Sequence, residues 1–312
     1  MLAYGAGGEY LQVLRSLGEQ GVPVARTLVV HNPAAPGELL PSPPPEYEVI
    51  EATHNLGYAA GMNLGIRRLL ERPPELVLVL THDAALRAGA LQGLIEAAAS
   101  NPGYGALGPV LLFAGSEEPF SFGGDATPTG ALGHRTERPA GGEEIVPCDW
   151  IDGGTMLIRA GALREAGEFD ERLWSYCEDA DLCLRIRRAG FGVGVVPAAV
   201  ADQAPGAAKR PGPWAYLRAR NGLAYARRQA GARGVAAGIL RCGGLALSEL
   251  ARTLARLTPL RPGDPAATWP VAVGTVRGIA DFLRGRWGPP PSLPGLGDMK
   301  NVTPPGAAAG DA

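Results

Sequence analysis

Residues 169–185 read FDERLWSYCEDADLCLR, and this stretch decides how the rest of the chain is interpreted. It combines acidic and aromatic side chains directly before an apolar pattern of helical spacing: Asp170, Glu171, Trp174, Tyr176, Glu178, Asp179 and Asp181. The helix dipole stabilises acidic residues in a first turn, so one or two of them would need no other explanation. Five acids within 12 residues, around an aromatic pair, indicate a functional site as well as a helix start.

The order of residues around this stretch resembles the acidic signature of family 2 glycosyltransferases, which have the GT-A fold, and in particular their bacterial rhamnosyltransferase-like branch. The ungapped match comprises Gly167, Phe169, Asp170, Glu171, Trp174, Tyr176, Glu178, Asp179, Asp181, Leu182, Arg185 and Gly190. The resemblance implies that Asp179 is the general base toward an acceptor hydroxyl. It also implies that Trp174, Glu178 and Arg185 lie on the acceptor side.

Short apolar runs alternate with helical patterns through the first half of the chain. The predicted strands are 27–31, 47–51, 76–80 and 106–112, and the predicted helices are 9–20, 59–70 and 88–99. This alternation predicts an α/β domain with a mostly parallel central sheet, which the resemblance identifies as GT-A. Ligands of such sheets bind beyond the carboxyl ends of the strands. Compared with the family, only the end of the first strand is expected here, as in a truncated sequence or one with a misassigned start.

Charge divides the chain into two parts. Residues 1–208 carry 14 basic and 26 acidic side chains, whereas residues 209–286 carry 14 basic and only 3 acidic ones. We predict a glycosyltransferase domain over 1–208, a basic helical region over 209–288 and a disordered tail, rich in Pro, Gly and Ala, over 289–312.

The basic region has two readings that the sequence leaves open. A basic amphipathic helix is typical of contact with an anionic membrane surface, whereas arginines of a helical tail can also pair with an acidic domain. Arg241, Arg252 and Arg256 interrupt the apolar run, so no uncharged stretch of about 20 residues is present to span a bilayer. Nucleic acid is excluded as the favoured partner because no aromatic-rich or zinc-binding module occurs.

A glycine-containing segment at 55–63, NLGYAAGMN, follows the second predicted strand and opens a helix. Glycines let main-chain N–H groups approach a phosphate, and a helix N-terminus favours the anion. A tight strand-to-helix turn is the alternative reading. The spacing resembles the donor-binding loop of the family, which implies donor contacts for Asn55, Gly57, Gly61 and Asn63. Tyr4, at the end of the first strand, is carried over as a further donor contact.

Two carboxylates are candidates for a divalent metal. Asp83 follows a buried strand, where oxygen ligands for a hard cation are expected, and the resemblance places it in the metal- and diphosphate-binding motif. Asp202 stands where relatives often have a metal-ligating His. The predicted cofactor is Mg²⁺ or Mn²⁺.

Residues 149–159, DWIDGGTMLIR, resemble the acceptor-side loop of the family. Trp150, Gly153 and Gly154 are the acceptor contacts that this implies. A core anchor is the alternative reading for Trp150, because an indole offers both an apolar face and a large volume to pack.

His31 is carried over as a donor contact, at the position where many relatives contact the donor base or ribose with an Asp. Because the residue type differs, the nucleotide preference is left open. The predicted function is inverting transfer of a sugar from a UDP- or dTDP-linked donor to a glycan or polyprenyl-linked acceptor in cell-envelope polysaccharide synthesis. The alternative is an inactive GT-A scaffold that binds nucleotide or glycan. A nicotinamide-dependent oxidoreductase is disfavoured because no GxGxxG fingerprint is present.

Four cysteines without a CxxC pair, and no visible signal peptide, favour a cytoplasmic location. Contact with the inner face of the plasma membrane is the accompanying hypothesis.

Overall fold

The computed structural model describes residues 1–5, 7–35, 37–40, 45–138, 142–204, 211–256 and 268–291. Residues 292–312, most of the tail that we predict to be disordered, lie outside the described residues. The described strands are β1 (Leu2–Tyr4), β2 (Leu28–Asn32), β3 (Glu48–Glu51), β4 (Leu76–Leu80), β5 (Ala84–Leu86), β6 (Tyr104–Phe113), β7 (Pro119–Ser121), β8 (Gly124–Ala126), β9 (Leu132–His134), β10 (Val146–Pro147), β11 (Thr155–Arg159) and β12 (Gly192–Gln203).

Seven α-helices occur in the same ranges: α1 (Glu9–Glu19), α2 (Gly57–Leu70), α3 (Ala90–Ser100), α4 (Ala160–Ala166), α5 (Glu178–Arg188), α6 (Pro211–Arg256) and α7 (Trp269–Leu283). The seven predicted elements of the first half are all present, with ends shifted by no more than two residues. The predicted α/β class is confirmed.

The strands form a parallel sheet of β1, β2 and β3, a larger mixed sheet and a small β8–β9 hairpin sheet. The larger sheet has the order β10-β12-β6-β11-β4, with β5 on β12 and β7 on β6. In it β12 runs parallel to β6, whereas β11 runs antiparallel to both β4 and β6. A parallel bridge between Leu2 and Thr81 links β1 to the residue after β4. The ends of β1, β2, β3 and β4 therefore face the edge where ligands of α/β sheets bind.

The first strand has three residues and is paired along its whole length. Leu2, Ala3 and Tyr4 lie opposite Val30, His31 and Asn32 of β2. Leu2 and Ala3 are buried, and Gly5 N–H extends the pairing by donating to the Asn32 carbonyl at 3.1 Å. The short strand is thus part of the parallel sheet.

The main core lies where α1 and α3 cover the larger sheet. Val13 and Leu17 of α1 and Leu94 of α3 are buried in one cluster with Leu107 and Leu157 of the sheet. The apolar residues of each helix recur every three or four positions, which places them on the face turned toward the strands. This core supports the strand ends that carry the polar residues described below.

The chain divides into two compact units. The first comprises 1–126, 132–171 and 178–205, and the second comprises 127–131, 172–177 and the described part of 206–312. The predicted boundaries at 208 and 288 stay predictions.

The second unit is built on α6 and α7. Ala230 and Gly231 have non-helical backbone angles, which break α6 into two helical segments. Helix α7 approaches the first segment closely at two glycines: a Cβ added at Gly274 would lie 2.2 Å from the Gly212 carbonyl oxygen, and one at Gly278 would lie 2.4 Å from that of Tyr216. Larger residues at these two positions would force the helices apart.

One described helix, Gly212–Ala255, is long and apolar enough to cross a membrane by length and composition alone. The break at 230–231 falls inside this range, so the helix is not one straight rod. The arginines that interrupt the apolar run therefore do not exclude a membrane span by composition. This weakens the argument from the sequence that the region lacks a stretch able to span a bilayer.

Candidate active site

Asp179 lies in the first turn of α5, where main-chain N–H groups hold its carboxylate. Its Oδ1 accepts a hydrogen bond from the Ala180 N–H at 2.7 Å, and its Oδ2 accepts one from the Gly153 N–H at 3.1 Å. Each carboxylate oxygen has two lone pairs, so these bonds orient the group and leave acceptor capacity for a substrate hydroxyl. The side chain is half-buried, which keeps it accessible.

The turn at Gly153 and Gly154 closes around Asp179 because it has no side chains. The Tyr58 hydroxyl of α2 donates to the Gly153 carbonyl at 2.5 Å. A Cβ added at Gly153 would lie 2.7 Å from the Tyr58 hydroxyl and 3.4 Å from the Asp179 Cβ, and one at Gly154 would lie 2.7 Å from Oε1 of Gln203. Close packing accounts for both glycines, and their predicted contact with the acceptor stays a prediction.

Burial and neighbouring charge raise the pKa of Asp179 to about 6. Desolvation is the largest cause, and the negative charge of Asp152 adds to it. The two N–H bonds and the nearby His134 act in the opposite direction because they favour the ionised form. A carboxyl group that titrates near neutral pH is suited to accepting a proton from a substrate.

Glu178 differs from Asp179 although the two are adjacent. It is buried, and desolvation together with the charge of Asp179 raises its pKa well above the ordinary value for glutamate. These effects favour the protonated, neutral form. Its predicted role in binding the acceptor stays a prediction.

Arg185 anchors α5 within the protein. Its Nε donates to Oδ2 of Asp181 at 2.9 Å, one turn earlier, and its Nη1 donates to the Ala166 carbonyl at 2.5 Å. These contacts join α5 to the end of α4. They account for Arg185 as a residue that holds α5 in place, and its implied position on the acceptor side stays a prediction.

Asn32 organises the start of the predicted donor loop. Its Oδ1 accepts from the Leu56 N–H at 2.8 Å, and its Nδ2 lies 3.2 Å from both Oδ1 of Asn55 and the Gly57 carbonyl. Asn55 in turn accepts from the Gly57 N–H at 2.9 Å. Two asparagine side chains therefore shape the entry into α2, at the carboxyl end of β2.

The rest of the predicted donor loop faces the interior. Asn63 is fully buried, and its amide exchanges two hydrogen bonds of 2.9 and 3.0 Å with the main chain of Phe169. A Cβ added at Gly61 would lie 2.8 Å from the Leu2 side chain. Asn63 fastens α2 to the acidic segment, and Gly61 lets α2 approach β1. Packing accounts for both residues, and their predicted contacts with the donor stay predictions.

His31 is fully buried at the end of β2 and holds Glu51 at the end of β3. The distance between Nδ1 of His31 and Oε2 of Glu51 is 2.5 Å. More than half of the Glu51 side chain, 55%, remains exposed. The exposed polar group at this position is the carboxylate of Glu51, and the predicted contact of His31 with the donor stays a prediction.

Asp83 and Tyr4 lie at the same sheet edge and are partly exposed. The Asp83 carbonyl accepts from the Ala204 N–H at 2.8 Å, and the negative charge of its side chain is among the causes that raise the pKa of Tyr58. The Tyr4 ring centroid lies 6.4 Å from that of His82. Both predicted donor residues are partly exposed at this edge, and their contacts with the donor stay predictions.

The carboxylate of Asp202 forms an ion pair with Arg87. Both of its carboxylate oxygens bind Arg87, at 2.8 Å to Nη2 and 3.1 Å to Nε. Among the described residues, no group of three or more His, Cys, Asp or Glu side chains could hold a metal ion. The guanidinium of Arg87 competes with a metal ion for this carboxylate, and the predicted role of Asp202 as a metal ligand stays a prediction.

Trp150 packs inside the first unit. It is buried, its Nε1 donates to the Asp125 carbonyl at 3.4 Å, and the neighbouring Gly124 has room for no side chain against the indole ring. The alternative reading, a core anchor, accounts for these contacts. They leave little of the ring to contact a sugar.

The loop of Trp174 and Tyr176 belongs to the second unit, where it is held by α6. Trp174 is buried against Tyr216 and Leu217, and Nδ2 of Asn221 lies 2.8 Å from the carbonyl oxygens of Leu173, Ser175 and Tyr176. These contacts account for Trp174 as a packed residue, and its predicted contact with the acceptor stays a prediction.

The same loop has an unusual backbone. Three residues other than glycine have left-handed φ angles: Trp174 (64°), Tyr176 (68°) and Cys177 (67°). Such angles are costly for side chains with a Cβ and persist where surrounding contacts impose them. The hydrogen bonds from Asn221 supply such contacts to this loop, which directly precedes Glu178 in the chain.

Five polar residues of the site were absent from the sequence-based prediction: Asn32, Glu51, Tyr58, Asp152 and His134. Tyr58 and Asp152 lie inside the quoted motifs, so their position was a usable signal. Asn32 follows His31 directly and could have been found as the strand end. Glu51 and His134 carry no local pattern, because only strand pairing and the hairpin bring them to the site.

Comparisons with known proteins agree with the resemblance. The chain is 29% identical over 179 residues to an N-acetylglucosaminyl-diphospho-decaprenol L-rhamnosyltransferase of Mycobacterium tuberculosis, covering 50% of this chain and 58% of that protein. It is 29% identical over 150 residues to a low-salt glycan biosynthesis hexosyltransferase of Haloferax volcanii, covering 46% and 48%. The chain thus spans about half the length of the curated relatives it matches. No protein-family profile matches the chain.

Two solved structures support the fold. S. aureus TarS 1-349 in complex with UDP has a TM-score of 0.50 at 15% identity, covering 92% of this chain and 91% of that one. GalNAc-T7 with UDP, GalNAc and Mn²⁺ has a TM-score of 0.51 at 11% identity, covering 65% and 42%. The GT-A fold and the similarity to rhamnosyltransferases, both predicted from the sequence, are confirmed.

Proposed function

We propose that this protein is an inverting glycosyltransferase that moves a sugar from a nucleotide-diphosphate donor to a hydroxyl of a glycan or lipid-linked glycan in cell-envelope polysaccharide synthesis. The observation that carries the proposal is Asp179, an accessible carboxylate oriented by two N–H groups, whose pKa is raised to about 6. The similarity to enzymes named as rhamnosyl- and hexosyltransferases supports the same reaction class.

Asp179 acts as the general base in this reaction. It takes the proton of the acceptor hydroxyl while that oxygen forms a bond to the anomeric carbon of the donor sugar. The bond from the same carbon to the diphosphate oxygen breaks on the opposite face, and the nucleoside diphosphate leaves. Proton transfer by a positioned base contributes roughly 10²–10⁴-fold to the rate.

The donor binds at the carboxyl ends of β1 to β4 in this proposal. The entry into α2, shaped by Asn32 and Asn55, presents a helix N-terminus that favours the diphosphate. Tyr4 and Asp83 border the same edge. Glu51, held by His31, offers a carboxylate to a base imide N–H or a ribose hydroxyl. A UDP- or dTDP-linked sugar, as predicted from the sequence, suits this set.

The described residues do not form a complete metal centre by themselves. Asp83 has the oxygen chemistry that Mg²⁺ or Mn²⁺ prefers, but Asp202 is bound by Arg87. The predicted divalent cation therefore stays a prediction, and the reaction described here uses no step through it.

A lipid-linked acceptor is supported by the surface of the second unit as well as by the name of the mycobacterial relative. Eight of the ten exposed large apolar side chains among the described residues lie between 240 and 283. Leu240, Leu247 and Leu254 recur every seven residues on α6, and so share one face of that helix. Exposed arginines at 233, 241 and 252 lie in the same segment. An anionic bilayer surface is the partner whose chemistry fits leucines flanked by arginines.

The experiment that tests the function is donor turnover by the wild type and by Asp179→Asn. A panel of UDP- and dTDP-linked sugars is incubated with a polyprenyl-diphosphate-linked acceptor, and release of nucleoside diphosphate is measured. We expect turnover of one donor class by the wild type and a loss of about 10²-fold or more in the variant.

Asp125→Asn is the matched control, because Asp125 is an exposed aspartate of the same unit that pairs with Arg135. Wild-type turnover by Asp179→Asn would contradict the assignment of the base. A folded wild type that binds UDP or dTDP without turning over any donor would favour the scaffold alternative.

A further inference from the structure

The main chain of Gly153 joins the candidate base to a tyrosine of helix α2. The Gly153 N–H donates to Oδ2 of Asp179 at 3.1 Å, and the Gly153 carbonyl accepts from the Tyr58 hydroxyl at 2.5 Å. Glycine has more backbone freedom than any other residue, so contacts from outside the turn decide where its N–H points. The Tyr58 hydroxyl is therefore one hydrogen-bonded residue away from the carboxylate of Asp179.

The next residue of the turn is held differently. The Gly154 carbonyl accepts from the Thr81 N–H at 3.0 Å, at the end of β4. A Cβ added at Gly154 would lie 2.7 Å from Oε1 of Gln203, so the side chain of the last residue of β12 closes over this glycine. Main-chain pairing thus holds the turn at Gly154, whereas at Gly153 the turn is held by the side chain of Tyr58.

The Tyr58 ring is fixed in the orientation from which it donates. It packs edge-on against Phe169, with ring centroids 5.4 Å apart and ring planes at 89°. Asn63 of the same helix in turn bonds both main-chain polar groups of Phe169. Burial raises the pKa of Tyr58 well above its usual value, and the negative charges of Glu178 and Asp179 add to the rise. The hydroxyl therefore stays protonated and remains a donor.

Tyr58 also belongs to the helix whose N-terminus is proposed to bind the diphosphate. It is the second residue of α2 and follows Gly57, whose N–H is bonded to Asn55 at 2.9 Å. In an inverting reaction the acceptor hydroxyl attacks opposite the bond to the diphosphate, so the base must be held in register with the diphosphate. A hydrogen bond from the start of α2 to the turn beside the base provides this register.

We propose that Tyr58 is a positioning residue that fixes the Asp179 carboxylate relative to the donor diphosphate, through the main chain of Gly153. This rests on the proposed role of Asp179 as the base. Without the hydroxyl, the Gly153 N–H is free to turn away from Oδ2 of Asp179. The bond from the Ala180 N–H to Oδ1 is independent of Tyr58, because Ala180 follows Asp179 directly in α5.

The test compares the main-chain amide signals of Gly153 and Ala180 in ¹⁵N-labelled protein while the pH is raised through the pKa of Asp179, about 6. It needs no donor or acceptor. In the wild type both amide protons should follow the titration, because each donates to one oxygen of the carboxylate, and Asp179→Asn should abolish both responses. In Tyr58→Phe, which keeps the ring and loses the hydroxyl, the Gly153 response should fall by more than half while the Ala180 response persists.

The kinetic counterpart is a lower kcat in Tyr58→Phe with an unchanged Kd for UDP or dTDP, because the base is displaced and the nucleotide contacts are not. Loss of one hydrogen bond predicts a decrease in kcat of about threefold to tenfold. Tyr47→Phe is the matched control, because Tyr47 is a partly buried tyrosine of the same unit that packs against a different apolar cluster. It should match the wild type in both measurements.

A selective loss at Gly153 would support the proposal, because a merely structural role of Tyr58 would not separate the Gly153 signal from that of Ala180. An unchanged Gly153 response in folded Tyr58→Phe would overturn it, and so would a wild-type kcat in that variant. If the variant does not fold, the wild type decides: a Gly153 signal that follows the pH together with Ala180 supports the link, and one that does not overturns it. Failure of the base itself would appear separately, as turnover by Asp179→Asn.

Discussion

Four carboxylates that look alike in the sequence fall into three kinds of environment. Asp179 is half-buried and oriented by N–H groups, whereas Glu178 is buried beside it and favours its neutral form. Asp181 and Asp202 are each paired with an arginine, Arg185 and Arg87 respectively. Only an accessible carboxylate without a cationic partner can act on a substrate proton, which singles out Asp179.

At the same scale, we predict that Glu51→Gln weakens nucleotide binding. The substitution removes the negative charge and one acceptor oxygen, so a charge-assisted hydrogen bond from the nucleotide is replaced by a weaker one to a neutral amide. A hydrogen bond to a charged group contributes about 1.5–3 kcal/mol, so the Kd for UDP or dTDP should rise roughly tenfold or more. Calorimetric titration with each nucleotide measures the change.

Glu48→Gln is the control for this prediction. Glu48 lies at the other end of β3, is similarly exposed (52% against 55%) and pairs with Arg68. Equal Kd values for wild type and Glu51→Gln would show that the nucleotide does not contact Glu51.

At the scale of elements, helix α6 of the second unit fixes the backbone conformation of the loop at 174–177. The loop backbone at 174–177 includes left-handed residues with large side chains, and the main-chain carbonyls there need partners. Asn221 and Arg220, both fully buried, supply them: Nη2 of Arg220 lies 3.1 Å from the Leu173 carbonyl, which Asn221 also contacts. Arg220 is in turn bonded to the Gly288 carbonyl at 2.7 Å, after α7.

We therefore predict that Asn221→Ala destabilises the protein. The substitution leaves carbonyl oxygens of the loop without their partner, which costs about 1–3 kcal/mol for each buried group left unsatisfied. Urea unfolding followed by circular dichroism should show a lower midpoint. Arg227→Ala, an exposed residue of the same helix, should unfold like the wild type. A midpoint for Asn221→Ala equal to that of the wild type would mean that the loop is held by other contacts.

At the scale of the whole molecule, the two units differ in surface chemistry. The first unit contains most of the acidic residues and the candidate site, whereas the second carries the excess of arginine and most of the exposed leucines. Exposed apolar residues scattered singly are normal on protein surfaces, but a face of leucines flanked by arginines indicates a partner.

We predict that the protein floats with vesicles containing phosphatidylglycerol and not with vesicles of phosphatidylcholine alone. The arginines provide attraction to the anionic surface, which weakens as salt is added, and the leucines provide insertion. The variant Leu240→Glu, Leu247→Glu, Leu254→Glu should lose most of the floating fraction.

The control variant is Leu39→Glu, Ile95→Glu, which alters exposed apolar residues of the first unit. Leu39 is as exposed as Leu240, 78% against 77%, so the two variants add charge to comparable positions. A triple variant that floats like the wild type would show that this face of α6 does not contact lipid. A concentration-dependent dimer of the wild type without flotation would identify a second copy as the partner instead.

The sequence by itself determined the α/β class, the positions of four strands and three helices in the first half of the chain to within two residues, and the resemblance carried by the stretch around Asp179. These features are encoded locally, by apolar periodicity, by turn residues and by an ordered motif. The roles of individual side chains were decided by tertiary structure. The pairing of β2 with β3 buries His31 and leaves Glu51 exposed beside it. The pairing of β5 with β12 brings Arg87, which follows β5, to Asp202. Contacts between residues about 20 to 115 positions apart produce these outcomes. The pattern of neighbouring residues along the chain carries no signal of such distant partners.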